Sequence, residues 1–187
     1  MLFRSYVAGS LKIEPGIRKK IKDLGCRIVD LPDRRKDTIT YFFKLVKFIR
    51  KNKINVLHAH GNSATLSIEM LAGVIGGCKT RIAHSHNNET VHDAKWLIKL
   101  CMQKLYTINA TDLFACSQEA GEYLFKNKKF KVLKNAIDSS RFIADDKKRK
   151  NVRQELGLDN KLVVGHVGRL HPQKNHEFLL KVFSEIL

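Results

Sequence analysis

The feature that most constrains the fold is an alternation along the chain between two hydrophobic periods. Short runs rich in β-branched and aromatic residues have the length of strands, and they occupy residues 26–29, 55–58, 80–83, 112–115, 130–133 and 162–165. Between these runs, apolar residues recur every three or four positions, which is the spacing of one helix face, as in Ile39, Phe42, Phe43, Val46 and Ile49. Strands separated by helices of this length predict βαβ units, and therefore an α/β protein whose mostly parallel sheet is flanked by helices.

Cap residues mark the ends of several predicted helices. Gly25 follows a helix predicted over residues 16–24 and suits the left-handed position after a helix end. Asp37 and Ser117 each precede a helical stretch and are side chains that cap helix N-termini. The last residues, 175–187, form a strongly amphipathic helical pattern.

The chain carries a large positive charge. Its 187 residues include 35 Lys and Arg against 18 Asp and Glu, which gives a net charge of +17. A hydrophobic content of 43% is too high for a disordered basic tail. The charge admits nucleic acid, an anionic membrane surface or an anionic small substrate as partner. No RNP-type aromatic motif, zinc finger or basic zipper occurs, so nucleic acid is not expected.

Targeting signals and cysteine usage predict a cytoplasmic location. No apolar run approaches the roughly 18–20 residues that span a bilayer. The first residues lack the basic segment, apolar core and cleavage site of a secretory signal. The four cysteines are far apart and are expected to be reduced and mostly buried, at Cys26, Cys78, Cys101 and Cys116.

Two H-x-H pairs, His58 with His60 and His84 with His86, follow successive predicted strands. Ligands of open α/β sheets bind at the carboxyl ends of strands, so these pairs are candidate site residues. Alternate strand positions point the same way, and imidazole suits zinc, so a metal site is one interpretation. The others are hydrogen-bonded core histidines and a polar cleft whose neutral imidazoles bond hydroxyl groups. We expect the cleft and no metal, with cleft or acceptor-side residues His60, Asn62, His84, Asn87 and Asn135.

Residues 163–175 predict an anion site. A strand ends near Gly168, where the missing side chain lets the backbone approach a ligand, and a helix begins near Lys174. With Arg169, this places backbone N–H groups, a guanidinium and an ammonium around one helix N-terminus, for which a diphosphate is a fitting ligand. The alternative is a surface Arg and Lys flanking an ordinary βα turn.

Together these motifs resemble family 4 glycosyltransferases, particularly those of capsular and exopolysaccharide biosynthesis. The segment VVGHVGRLHPQKN is similar to the opening of the C-terminal domain of that family, where a strand leads into G-R-L and a Lys follows. The matching N-terminal-domain motifs occur in the family's order, and they are KINVLHAHGN, KTRIAHSHNN, ATDLFACSQEA and VLKNAIDSSRF. The resemblance covers nearly the whole chain from about residue 16.

The resemblance implies a GT-B fold, in which two Rossmann-like domains hold the active site between them. It implies sugar transfer with retention of anomeric configuration and without a bound metal or other cofactor. Arg169 and Lys174 match the pair that neutralises the donor diphosphate, and Gly168 matches the glycine that admits the phosphates. His86 matches the catalytic-cleft histidine near the transferred sugar. At residues 135–138 the chain departs from the family, because Ala136 replaces the usual Gly.

The same resemblance predicts an incomplete enzyme. Residues 1–158 are expected to form an acceptor-side, Rossmann-like domain without its first strand and glycine-rich loop, since no convincing strand precedes residue 16. Residues 159–187 are expected to be the first βα unit of the donor-binding domain, ending before the family's E-x7-E pair. On this interpretation the chain alone is an inactive, truncated form.

The predicted function is therefore a hexosyl-type glycosyltransferase of cell-surface polysaccharide biosynthesis. Its partners would be a nucleotide-sugar donor, a glycan or lipid-linked acceptor and the anionic inner face of the cell membrane, where it would be peripheral. The alternatives are a basic Rossmann-like module that docks on an anionic membrane or nucleic acid without catalysis, and a metal-dependent hydrolase that uses the four histidines.

Overall fold

A computed structural model describes residues 5–9, 13–61, 65–86 and 109–186 of the chain. It divides into two compact units, Met1–Ala136 and Ile137–Leu187. The predicted domain boundary at residues 158 and 159 stays a prediction. None of the described helices is long and apolar enough to cross a membrane.

The first unit alternates strands and helices, as the sequence predicts. Its elements are β1 (Tyr6–Gly9), α1 (Pro15–Asp23), β2 (Arg27–Asp30), α2 (Thr38–Asn52), β3 (Val56–Gly61), α3 (Leu66–Gly76), β4 (Thr80–Ser85), β5 (Asp112–Ala115), α4 (Gln118–Phe125) and β6 (Lys131–Val132). Strands β1 and β2 form one sheet, and a second sheet has the order β3-β4-β5-β6. Every pairing is parallel. The predicted α/β class with parallel sheets and flanking helices is confirmed.

The helix boundaries follow the predicted caps. The carboxylate of Asp37 accepts a hydrogen bond of 2.9 Å from the backbone N–H of Thr40, and the hydroxyl of Ser117 accepts one of 3.2 Å from Ala120. Gly25 follows α1 with φ of 76°, a left-handed value that glycine adopts without steric cost.

Two apolar clusters form the core of this unit. The first lies between the four-stranded sheet and helices α3 and α4, and its most buried members include Met70, Ala83 and Ala115. The second joins α2 and α3 and includes Ile49 and Cys78. Cys78 is a free, buried thiol, as predicted, and Cys26 and Cys116 are also free; Cys101 lies outside the described residues.

Strand β1 corrects the expectation that no strand precedes residue 16. Its four residues pair in parallel with β2, in a register that places Tyr6 beside Arg27. The ring of Tyr6 also packs edge-on against Phe48 of α2, with 5.2 Å between ring centroids. The sequence of this strand, YVAG, contains one β-branched residue and ends in Ala and Gly, which are depleted in strands, so the sequence pattern does not display this strand.

The second unit holds α5 (Asp146–Glu155) and α6 (His176–Ile186), together with 3-10 turns at Ser139–Phe142 and Pro172–Lys174. The helix at His176–Ile186 was predicted from its amphipathic pattern. The strand predicted over residues 162–165 is absent from the structure, which shows irregular backbone there. A strand needs a hydrogen-bonded neighbour, and the described residues of this unit include no other strand.

Glycine at position 121 allows α4 to pack closely against Phe130. A Cβ atom built at Gly121 overlaps Cε2 and Cζ of the Phe130 ring. We therefore expect Gly121→Ala to lower the free energy of unfolding by about 1–3 kcal/mol, the usual cost of overpacking. Urea unfolding followed by circular dichroism measures this change.

Gly16→Ala in α1 is the matched control for this prediction. No atom lies within 4 Å of a Cβ built at Gly16, so alanine should leave stability unchanged or raise it by up to about 1 kcal/mol. Equal stability of the Gly121→Ala variant and the unaltered protein would contradict the predicted packing.

Candidate functional site

Four histidines gather at the carboxyl ends of β3 and β4. The parallel register places His60 directly beside His84. Residues two apart on a strand point to the same face, so His58 lies with His60, and His86, one residue past β4, lies with His84. The structure thus brings together the two H-x-H pairs that the sequence singles out.

The four imidazoles form two hydrogen-bonded pairs, each linking one strand to the other. Nε2 of His58 lies 3.1 Å from Nδ1 of His84, and their ring planes differ by only 10°. Nδ1 of His60 lies 2.7 Å from Nε2 of His86, with ring planes 29° apart. Each contact is an N–H···N bond, in which one ring donates and the other accepts.

The two pairs stack on each other. Ring centroids are 4.2 Å apart between His58 and His60, and 4.4 Å apart between His84 and His86. Phe114 of β5 packs edge-on against both His58 and His84, at 6.1 Å in each case. The cluster is therefore a two-layered stack of imidazoles that rests against an aromatic side chain.

Burial favours the neutral form of these side chains. His84 is only 3% exposed, and its Nε2 is buried without a hydrogen-bond partner among the described residues. Loss of hydration, together with the smaller effect of the other three histidines of the cluster, lowers the pKa of His84 to about 4. Burial likewise lowers the pKa of His58 and His60. These three rings are uncharged at neutral pH and are suited to hydrogen bonding.

The cluster could also offer ligands to a metal ion. Ring nitrogens of His58, His60 and His84 lie within 4.8 Å of one another, and neutral imidazole is the form that binds metals. A shared metal needs nitrogen lone pairs that converge on one point. One nitrogen of each ring is instead engaged in a hydrogen bond to its partner ring, so a metal would have to use the second nitrogen of each ring or displace these bonds.

A second polar feature lies at the carboxyl ends of β5 and β6. It is an open cleft of about 680 Å³, lined by Cys116, Ser117, Gln118, Glu119, Val132, Lys134 and Asn135. Asn135 was predicted as a cleft residue, and the structure places it here. Asn62 and Asn87, predicted for the histidine side of the same edge, lie outside the described residues.

The predicted diphosphate-binding residues lie in the second unit. A Cβ atom at Gly168 would lie 3.1 Å from Nε2 of His166 and 3.4 Å from Cγ of Lys174, so the chain is closely folded at this glycine. The side chains of Arg169 and Lys174 are exposed. Lys174 ends a 3-10 turn, and α6 begins two residues later. The turn into a helix is as predicted, although the strand before it is not.

Some contributors to the site were missed from sequence. Phe114 was assigned only to a strand, and the residues after Ser117 only to a helix. His58 was not among the predicted site residues, although it pairs with His84. The signal for His58 was present, because it shares the H-x-H spacing with His60. The position of Phe114 depends on the order of strands in the sheet, which spacing along the chain does not give.

Comparison with known proteins finds similarity in both sequence and fold. Over 179 residues, 90% of the chain, the sequence is 30% identical to the Bacillus subtilis (strain 168) protein named "Putative glycosyltransferase EpsF". The fold is similar to the crystal structure of Anabaena Alr3699/HepE in complex with UDP and glucose, with a TM-score of 0.74 over 96% of the chain and 17% identity. A second HepE structure, in complex with UDP, has the same TM-score at 18% identity.

The chain resembles one half of a GT-B glycosyltransferase. The resemblance predicted from the motifs and the predicted fold are therefore confirmed. The chain spans about half the length of its relatives, 46% of EpsF and 50% of HepE. No family model matches the sequence.

The buried histidines make stability depend on pH. The pKa of His84 is about 4 in the folded chain and 6.5 in its ordinary state, so the unfolded chain binds more protons between these values. Stability is complete above about pH 6.5 and is lost as the pH falls towards 4. We expect the free energy of unfolding to fall by about 2 kcal/mol between pH 7 and pH 5.

The variant His84→Asn tests the source of this loss. An asparagine amide can still bond Nε2 of His58 but does not titrate, so the slope of stability against pH between 7 and 5 should become shallower. Urea unfolding at a series of pH values measures it. An unchanged slope in the variant would show that other groups cause the pH dependence.

Proposed function

We propose that this chain is the acceptor-side part of a glycosyltransferase, together with the first donor-binding residues. The enzyme would transfer a hexose from a nucleotide-sugar donor to a glycan or lipid-linked acceptor in cell-surface polysaccharide biosynthesis. The observation that carries the proposal is a hydrogen-bonded histidine cluster at the carboxyl edge of a parallel sheet, in a chain similar to EpsF along 90% of its length. The UDP and glucose bound by HepE support a nucleotide-sugar donor.

The reaction exchanges one bond at the sugar for another. The bond from the anomeric carbon to the donor phosphate oxygen breaks, an acceptor oxygen takes its place, and the acceptor hydroxyl gives its proton to the departing diphosphate, which leaves with the bonding electron pair. Negative charge builds up on the departing diphosphate. Fixed cations near that diphosphate lower the barrier because they need no reorganisation as the charge develops.

The residues of the chain divide these tasks by their chemistry. Arg169 and Lys174 supply a guanidinium and an ammonium for the diphosphate, and Gly168 keeps the backbone open to it. His86, one residue past β4, supplies a ring nitrogen that can bond a sugar hydroxyl. The cleft that Asn135 lines offers hydroxyl, amide and carboxylate groups on the acceptor side. Because protein cations neutralise the diphosphate, we propose that no metal or other cofactor takes part.

A donor screen with the full-length protein tests the proposal, with UDP-glucose as the first donor and release of UDP as the signal. Arg169→Ala should lower kcat by at least about 100-fold, the usual cost of removing one group that stabilises transition-state charge. Arg149→Ala, which removes an exposed Arg of α5, is the control and should retain activity. Near-normal turnover by Arg169→Ala would contradict the assignment.

We also propose that the protein works at the anionic inner face of the cell membrane, with α2 as the contact. The outward face of this helix combines exposed apolar side chains, Ile39 at 71% and Phe43 at 63%, with Lys44, Lys47 and Lys51. Apolar side chains can enter the headgroup region, and each nearby Lys adds about 1 kcal/mol of attraction to anionic lipid. A lipid-linked acceptor would be presented at the same surface.

Vesicle flotation tests this contact. Full-length protein should float with phosphatidylcholine vesicles that contain phosphatidylglycerol, and Lys44→Glu with Lys47→Glu should weaken binding by at least about tenfold. The charge-matched control, Lys147→Glu with Lys150→Glu on α5, should bind like the unaltered protein. Flotation that does not depend on anionic lipid would contradict the proposal.

A further inference from the structure

His86 is held by one side chain of the neighbouring strand. In the register His60 lies beside His84. Its ring contacts His86, two residues further along the chain, with 2.7 Å between Nδ1 of His60 and Nε2 of His86. Among the described residues, this is the one hydrogen bond that the ring of His86 makes.

The contact with His60 decides which ring atom of His86 remains for a ligand. One nitrogen of the contact carries the hydrogen and the other accepts it. Whichever ring donates, Nε2 of His86 is used in the bond. Among the described residues, Nδ1 is therefore the ring atom of His86 that remains for a ligand, and the bond couples the two tautomers: Nδ1 of His86 carries a hydrogen when His60 donates and accepts one when His86 donates.

Stacking holds both rings in place. His86 lies 4.4 Å from His84 and His60 lies 4.2 Å from His58, so stacking holds the planes of both rings, and the hydrogen bond between them sets which nitrogen of each ring faces the other. The layer beneath is itself tied together by the bond between His58 and His84, and Phe114 supports it from β5. The described groups that face the pair are imidazoles and a phenyl ring.

We infer that His60 is a positioning residue, which fixes the ring and tautomer of His86 so that Nδ1 is presented to the sugar. The inference rests on the proposed function, because that function makes His86 a sugar-binding group. It extends the proposal from a single histidine to a hydrogen-bonded pair, contributed by two strands. A histidine of fixed tautomer already carries its hydrogen on one defined nitrogen when it bonds a given hydroxyl. In other functional histidines, a group that bonds the second ring nitrogen has this effect.

Nitrogen NMR of full-length protein labelled with ¹⁵N-histidine tests the pair without any substrate. In the unaltered protein, the two ring nitrogens of His86 should have separate protonated and unprotonated shifts, which is the signature of one tautomer. In His60→Leu the shifts should move together as both tautomers become populated. His60→Asn, whose amide can replace Nδ1, should retain the separation. Equal His86 spectra in the unaltered protein and His60→Leu would overturn the inference.

Kinetics with UDP-glucose supply the second measurement. His60→Leu should lower kcat by about 10- to 100-fold, as loss of a partner that orients a functional histidine commonly does. The KM for UDP-glucose should change little, because the diphosphate contacts are untouched, and His60→Asn should recover most of kcat. His58→Leu removes a stacked ring without breaking a bond to His86, and its effect should be smaller. Equal losses in His58→Leu and His60→Leu would indicate general packing and overturn the inference.

The two measurements separate the inference from the proposed function. A tautomer change in His60→Leu, with no UDP release by any form of the protein, would support the pairing and count against the function. Zinc titration by calorimetry tests whether the cluster is instead a metal site. Stoichiometric zinc binding that is abolished by His60→Leu would overturn the positioning role.

Discussion

Because β3 and β4 pair in parallel, alanines lie together on one face of the two strands and histidines on the other. The pairing places Ala59 beside Ala83 and His60 beside His84, and alternate residues point to opposite faces. The alanines are buried in the core beneath α3 and α4, so their small size lets the helices approach the sheet. The imidazoles are left together on the other face. A slip of one residue would bury histidines and expose alanines, and this fixes the register on which the candidate site depends.

The helix that covers this sheet depends on small residues and on one buried carboxylate. Cβ atoms at Gly73 and Gly76 would meet Leu57, Arg81 and Ile49, so α3 approaches both the sheet and α2 closely at these positions. Glu69, also on α3, is buried and accepts hydrogen bonds of 2.6 Å from Arg34 and 3.0 Å from Tyr41. Burial and the neighbouring carboxylate raise the pKa of Tyr41, which keeps its hydroxyl a donor. Removing either donor would leave a buried charge short of partners, which is costly.

Much of this fold could be predicted from the sequence, because the signals that reveal it are local. Hydrophobic period and caps predicted α2 and α4 together with their capping residues Asp37 and Ser117, and the four-stranded sheet was predicted strand by strand. The errors concern pairing. Strand β1 was missed because its sequence, YVAG, has a single β-branched residue, and residues 162–165 were assigned to a strand because an apolar run cannot show whether a partner lies beside it.

In the candidate site too, local features were predicted from the sequence and contacts between strands were not. The H-x-H spacing predicted that the histidines would gather at the carboxyl edge, since a strand period of two places alternate residues on one face. It could not predict which nitrogens would meet, because His60 reaches His86 across the strand pair rather than along one strand. Nor does the spacing show the burial that, with the neighbouring histidines, lowers the pKa of His84 to about 4, or the edge-on contact of His84 with Phe114, which a third strand contributes.

The net charge of +17 therefore says little about the histidine edge itself. Burial keeps imidazoles uncharged, so they do not attract every anion. Uncharged imidazoles at the edge of a sheet can instead discriminate among hydroxyl groups by the direction of their hydrogen bonds. Permanent cations do the opposite, because they attract phosphate strongly and with little dependence on the rest of the ligand. The chain keeps these two kinds of chemistry apart, with the neutral histidines in Met1–Ala136 and the Gly168–Arg169–Lys174 group in Ile137–Leu187.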